Sequence, residues 1–178
     1  EIQTRSFGKM REKLTAFLEV YPVTIVYPLP FNKWISWIDN ETGETSPPRK
    51  SPKKGTVYDA FRELYAIKPF LCHPNLNIIL EFVDIEEYRL LNGWSSDRKK
   101  GSTRYDRIPV TIRKEIIITQ PEDYMQFVPF ELESPFTSKE FAAAAKTDSR
   151  KTGTVINILL ATGVIKRNGK SGRSYLYE

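Results

Sequence analysis

The sequence predicts an α+β protein. A mixed α/β domain is expected over residues 1–130 and a small helical module with a hairpin over residues 131–178. Three observations carry this reading. Leu76 to Val83, "LNIILEFV", is nearly continuous in apolar residues, as in a strand buried on both faces. Phe7, Met10, Leu14, Phe17 and Leu18 recur at three- and four-residue spacings, as on one face of a helix. The last residues pass from two capped apolar runs into two alternating runs around a glycine-rich turn.

The first helix is expected from Phe7 to Tyr21, ended by Pro22. Val23 to Asp39 is extended, rich in β-branched and aromatic residues and interrupted by Pro28 and Pro30. Asn40 to Glu44 is a turn. Thr45 to Gly55 is a loop with four basic residues, no acid and three prolines, so it cannot pair as a central strand. A second helix runs from about Val57 to Ile67 with Phe61, Leu64 and Tyr65 as its stripe. After the strand at Leu76, Asp84 to Leu91 is its continuation or a short helix. Gly93 to Arg107 reads as a long loop with five basic residues, two acids and two aromatics, Trp94 and Tyr105. A strand is expected at Glu115 to Thr119, and Pro121 to Phe130 bridges to the tail.

The tail is the most specific region. Thr137 and Glu140 make a capping box before Phe141 and four alanines, predicting a helix from Ser138 to about Ala145. Lys146 to Asp148 is a short turn. Ser149 is expected to cap a second helix from Arg150 to Thr162, with Asp148 helping, and Gly163 stops it. "VIKR" and "SYLY" are strand patterns, and "NGKSG" is the hairpin loop between them. Helix, short turn, helix and hairpin in this order resemble the winged helix-turn-helix family, above all in "ATGVIKRNGKSGRSYLY". The resemblance covers roughly 45 residues and implies double-stranded DNA as partner, with the second helix in the major groove. It places Ser149, Arg150, Lys151, Thr154 and Asn157 near the groove, and Lys166, Arg167, Lys170 and Arg173 along the phosphate backbone. Such modules also contact proteins, so a protein partner is the competing expectation.

Charge agrees with the DNA reading without proving it. Net charge is +5, and residues 131–178 carry eight Lys/Arg against five Asp/Glu. The basic loops around Arg49–Lys54 and Arg98–Arg107 are expected to extend the nucleic-acid contact. The alternative from another class is a Mg²⁺-dependent nuclease, restriction-endonuclease-like in its N-terminal domain. Its carboxylates would come from Asp59, Asp84, Glu86 and Glu87, since acids at a strand end hold Mg²⁺. Such nucleases follow an acid and a spacer with lysine, whereas this chain has Glu87-Tyr88-Arg89 and Asp84-Ile85-Glu86. Apart from that Mg²⁺, no metal or cofactor is expected. Cys72 is the only cysteine and His73 the only histidine, which excludes an intrachain disulfide and a tetrahedral Cys/His zinc site. No phosphate-binding glycine loop, dinucleotide fingerprint or Gly-x-Ser-x-Gly frame occurs. No apolar run reaches the roughly 18 residues of a membrane span. Cytoplasmic residence is the expectation.

Overall fold

A computed structural model describes residue 2, residues 6–93 and residues 101–178. It contains both helices and sheets, an α+β combination, and falls into two compact units. The first gathers Glu1–Tyr27, Val57–Leu80 and Ile116–Glu178; the second gathers Pro28–Thr56 and Glu81–Glu115. Residues 131–178 thus fold in a unit that also draws on two earlier parts of the chain.

In the first unit the expected N-terminal helix is shorter than its apolar spacing suggests. A 3₁₀ turn, Phe7–Met10, leads into α1, Arg11–Leu18. Phe7, Met10, Leu14 and Leu18 are buried, but Phe17 is half exposed and lies off the stripe. The Asn75 side-chain amide donates to Leu18 O at 2.7 Å, and Val23 N donates to Asn75 O at 2.7 Å. One residue therefore satisfies the end of α1 and the start of the next strand. The second helix is also divided, into a 3₁₀ turn, Val57–Asp59, and α2, Phe61–Ala66. Another 3₁₀ segment spans Pro121–Phe127. Aromatic edges knit these pieces: Phe61 meets Phe127 at 5.2 Å, and Tyr58 meets Phe141 at 6.2 Å.

The tail adds α3, Ser138–Ala144, and α4, Ser149–Ala161. The capping box forms: Glu140 N donates to Thr137 Oγ1 at 3.3 Å and Thr137 N to Glu140 Oε2 at 2.7 Å. The cap of α4 is Asp148 rather than Ser149, its Oδ1 accepting from Lys151 N at 2.9 Å. The carboxylate outcompetes the hydroxyl one residue later because it sits in the extended position from which a side chain reaches back. Gly163, at φ 75°, ends α4 as expected; Val164 N reaches Leu159 O and Gly163 N reaches Leu160 O.

Three short strands close the tail: Phe136–Thr137, Arg167–Ser171 and Ser174–Tyr177. The last lies between the other two and pairs antiparallel with both. The hairpin turn falls at Gly172-Arg173, at the far end of the expected loop Asn168–Gly172, and not at Asn168-Gly169. Those residues instead form an irregularity inside the strand, where the register slips between Arg167 and Lys170 and Gly169 takes φ 91°.

The four-stranded sheet, of which residues 28–39, 49–50, 81–91 and 103–115 belong to the second unit, places a two-residue edge strand, Arg49–Lys50, beside the strand Val23–Asp39, then Leu76–Leu91, then Thr103–Ile118. We number the strands β1, β2, β3 and β4 in chain order, and those of the tail β5 to β7. The extended segment at Val23 is not broken by its prolines. Pro28 and Pro30 are two residues apart, so both withhold an N–H from the same edge, and β2 pairs with β1 only at Trp34 and Ile35. Asp84–Leu91 continues β3. The expected loop at Gly93 overstates the irregularity, since Thr103 to Arg107 open β4. Trp94, Arg98, Lys99 and Lys100 lie outside the described residues.

Candidate nucleic-acid interface

At the start of α4, Ser149 and Arg150 are exposed. Three other groove candidates are engaged within their own unit. Lys151 Nζ lies 2.6 Å from Asp59 Oδ1, so Asp59 serves as a salt-bridge partner here. Asn157 Oδ1 accepts from Lys68 Nζ at 2.9 Å. The Thr154 hydroxyl turns back to Arg150 O at 3.3 Å. Lys68 was invisible as a site residue in the sequence, because its partner is 89 residues away.

The hairpin brings its basic residues together. Arg167 and Lys170 both sit over the Tyr175 ring, at 4.4 and 4.9 Å from its centre. A tyrosine in the neighbouring strand thus gathers two cations on its ring, a role that the strand pattern "SYLY" did not disclose. Lys166 pairs with Glu178 at 3.1 Å yet remains largely exposed, and Arg173 stands exposed at the turn. Between Ser149 and Tyr177 the chain has six Lys/Arg and no Asp or Glu.

The carboxylates considered for Mg²⁺ have other partners. In the second unit, Asp84 Oδ1 accepts from Asn32 N at 3.2 Å and Asn32 Nδ2 at 2.8 Å, while Arg113 Nε reaches Oδ2 at 2.6 Å. Burial pushes the Asp84 carboxyl up, but the Arg113 and Asn32 hydrogen bonds outweigh it and hold it below the usual range. Glu86 accepts from the Tyr88 hydroxyl at 3.2 Å. Glu87 is wholly shielded from solvent and faces four cations. Arg89 is 2.7 Å from Oε1; Arg107, Lys33 and Arg104 lie 2.8, 3.5 and 3.5 Å from Oε2. Burial raises its pKa, yet the Arg89 and Arg107 hydrogen bonds and the Lys33 charge bring it down to about 2. Among the described residues, no three His, Cys, Asp or Glu side chains are placed to hold a metal ion together.

Cys72 and His73 have separate roles. The exposed Cys72 places Sγ 3.6 Å from Ala161 O, and His73 Nδ1 accepts from Asn75 N at 3.2 Å. No helix among the described residues is long and apolar enough to cross a membrane.

Comparison with known proteins gives two matches and one blank. The chain is similar to an uncharacterized protein of Treponema pallidum (strain Nichols), 28% identical over 184 residues that cover 100% of this chain and 70% of that protein. No solved structure matches. A family described as a domain of unknown function, DUF8091, matches residues 1–119. With more than half of its length matched by that family, the chain belongs to DUF8091.

Proposed function

We propose that the protein binds double-stranded DNA, with residues 131–178 acting as a winged helix-turn-helix module and the basic segments of residues 1–130 extending the contact. The observation that carries the reading is the pair Arg167 and Lys170 on the Tyr175 ring, in a hairpin that also presents Arg173. The chain order β5, α3, α4, β6, β7, with both helices capped and the strands joined in the order β5-β7-β6, supports the same reading. In it the hairpin meets the phosphate backbone, and Ser149 and Arg150 approach the groove. Lys151 and Asn157 contribute less than their positions promise, because each must first release Asp59 or Lys68. Mg²⁺-dependent cleavage is less well supported, since a cation at Asp84 or Glu87 would have to displace arginines.

The test is anisotropy of a labelled duplex of about 20 base pairs, titrated at several salt concentrations. Several phosphate contacts give a steep fall of log affinity with log salt, about 0.9 per contact. Arg167→Ala with Lys170→Ala should weaken binding and flatten that slope by about two. Affinity that ignores salt, or that survives these changes in a folded protein, would turn the tail into a protein-contact module.

A further inference from the structure

Lys151 and Asn157, two of the groove candidates on α4, are held by side chains from one short stretch of the family segment. Each holder has the chemistry of a nucleic-acid group. Asp59 Oδ1 lies 2.6 Å from Lys151 Nζ and offers it an anionic oxygen, as a phosphate does. Lys68 Nζ donates to Asn157 Oδ1 at 2.9 Å, as the amino group of adenine does to an asparagine in the major groove. Lys68 Nζ also lies 5.2 Å from the centre of the Tyr65 ring. Asp59 ends the 3₁₀ turn before α2 and Lys68 follows α2, so the two holders flank that helix. Within the first unit α2 packs against α4. One helix of the family segment therefore places both contacts on α4.

We infer that Asp59 and Lys68 restrain the proposed DNA interface: they stand in for a phosphate and a base, and hold Lys151 and Asn157 until a duplex displaces them. On the DNA-binding reading of the tail, on which this rests, the family segment thus sets how tightly α4 engages. Asp59 and Lys68 become selectivity-determining residues although neither reaches the nucleic acid. The Lys151 and Asp59 side chains are 38% and 28% exposed, so the pair is partly solvated and open to exchange. Its release corresponds to a gain in duplex affinity of about two- to fivefold.

The experiment is a double-mutant cycle on the full chain, read by anisotropy of a labelled duplex at one low salt concentration. Wild type, Asp59→Asn, Lys151→Met and the double variant are compared, after thermal unfolding has shown that each is folded. Asparagine keeps the shape and an acceptor oxygen for the further interaction that Asp59 makes. A second cycle, with Lys68→Met, Asn157→Ala and their combination, keeps the test open if Asp59→Asn does not fold.

Asp59→Asn should bind the duplex about two- to fivefold tighter, and most of that gain should disappear in the Lys151→Met background. Lys68→Met removes a cation, so it should cost less affinity with Asn157 present than in the Asn157→Ala background, because releasing Asn157 offsets part of the loss. Equal effects with and without the α4 partner, in folded proteins that bind the duplex, mean that only the changed charge acts; they would overturn the restraint and leave the DNA reading standing. Absence of duplex binding by the wild type at low salt would instead overturn the DNA reading, and the restraint with it.

Discussion

Replacing Glu87 by Gln should destabilise the second unit strongly at neutral pH and hardly at all in acid. The carboxyl falls from an ordinary 4.5 to about 2 in the folded chain. That shift corresponds to about 3 kcal/mol of stability. The group is fully shielded, so solvent screening does not erase the figure. The sign follows from the lowered folded value. The contribution is complete above the unfolded pKa, near 4.5, and is lost as pH falls towards 2. Glutamine keeps the shape and one acceptor oxygen but removes the negative charge that Lys33, Arg89, Arg104 and Arg107 share. Urea unfolding at pH 7, 5, 3.5 and 2.5 would measure this. Tryptophan fluorescence is the probe, because all three tryptophans fall within the sequence ranges of the second unit. The difference between wild type and variant should be about 3 kcal/mol at pH 7 and should shrink steadily below pH 4.5. Comparison with the variant cancels the other carboxylates, Asp84 included. A difference below about 1 kcal/mol at pH 7, or one that does not change with pH, would refute the account of Glu87 as a buried, ionised hub.

Three further predictions concern the first unit. Tyr124 is wholly buried and its hydroxyl has no partner among the described residues, so Tyr124→Phe should raise thermal stability by about 1 kcal/mol; a fall of that size would mean the hydroxyl is satisfied. Lys146 ends α3 in the left-handed region, at φ 48°, so Lys146→Gly should stabilise by about 0.5–1 kcal/mol in a denaturant titration. Asp148→Ala removes the cap of α4 and should cost about 1 kcal/mol, while Ser149→Ala, outside the cap position, should cost a few tenths at most. Equal losses at the two positions would restore Ser149 as the cap.

Legibility followed the distance over which each feature is determined. The capping box at Thr137, the glycine stop at Gly163 and the two tail helices depend on residues within one or two turns, and all were readable. β4 was read only at its end, Glu115 onwards. Ile108, Val110 and Ile112 do alternate before it, but from Thr103 to Glu115 residues of both faces are exposed or half-buried, and charged residues and Pro109 are interleaved among them. The hairpin misled for a related reason. Asn168-Gly169 has the local chemistry of a tight turn, but the chain turns at Gly172-Arg173 with Tyr177 paired to Phe136. The Glu87 hub was half visible, since Glu87 and Arg89 are two residues apart. Lys33 lies 54 residues away, and only the sheet brings it in.

The match to DUF8091 ends at residue 119, but the compact unit does not respect that limit. Phe61 and Tyr58 lie inside the matched segment, and their ring partners Phe127 and Phe141 lie outside it. Asp59 and Lys68 are inside, and Lys151 and Asn157 are outside. Residues 57–80 therefore serve two ends: they are part of the family segment and also the support against which α4 is held. That support bears on function directly, since Asp59 and Lys68 occupy two of the side chains through which α4 would meet a groove. A ligand of α4 would compete with residues of the family segment, whereas for Arg167, Lys170 and Arg173 on the hairpin no ion pair is found among the described residues. On the proposed DNA-binding reading, affinity would thus be governed first by the hairpin, and selectivity by how readily Lys151 and Asn157 exchange their internal partners for external ones.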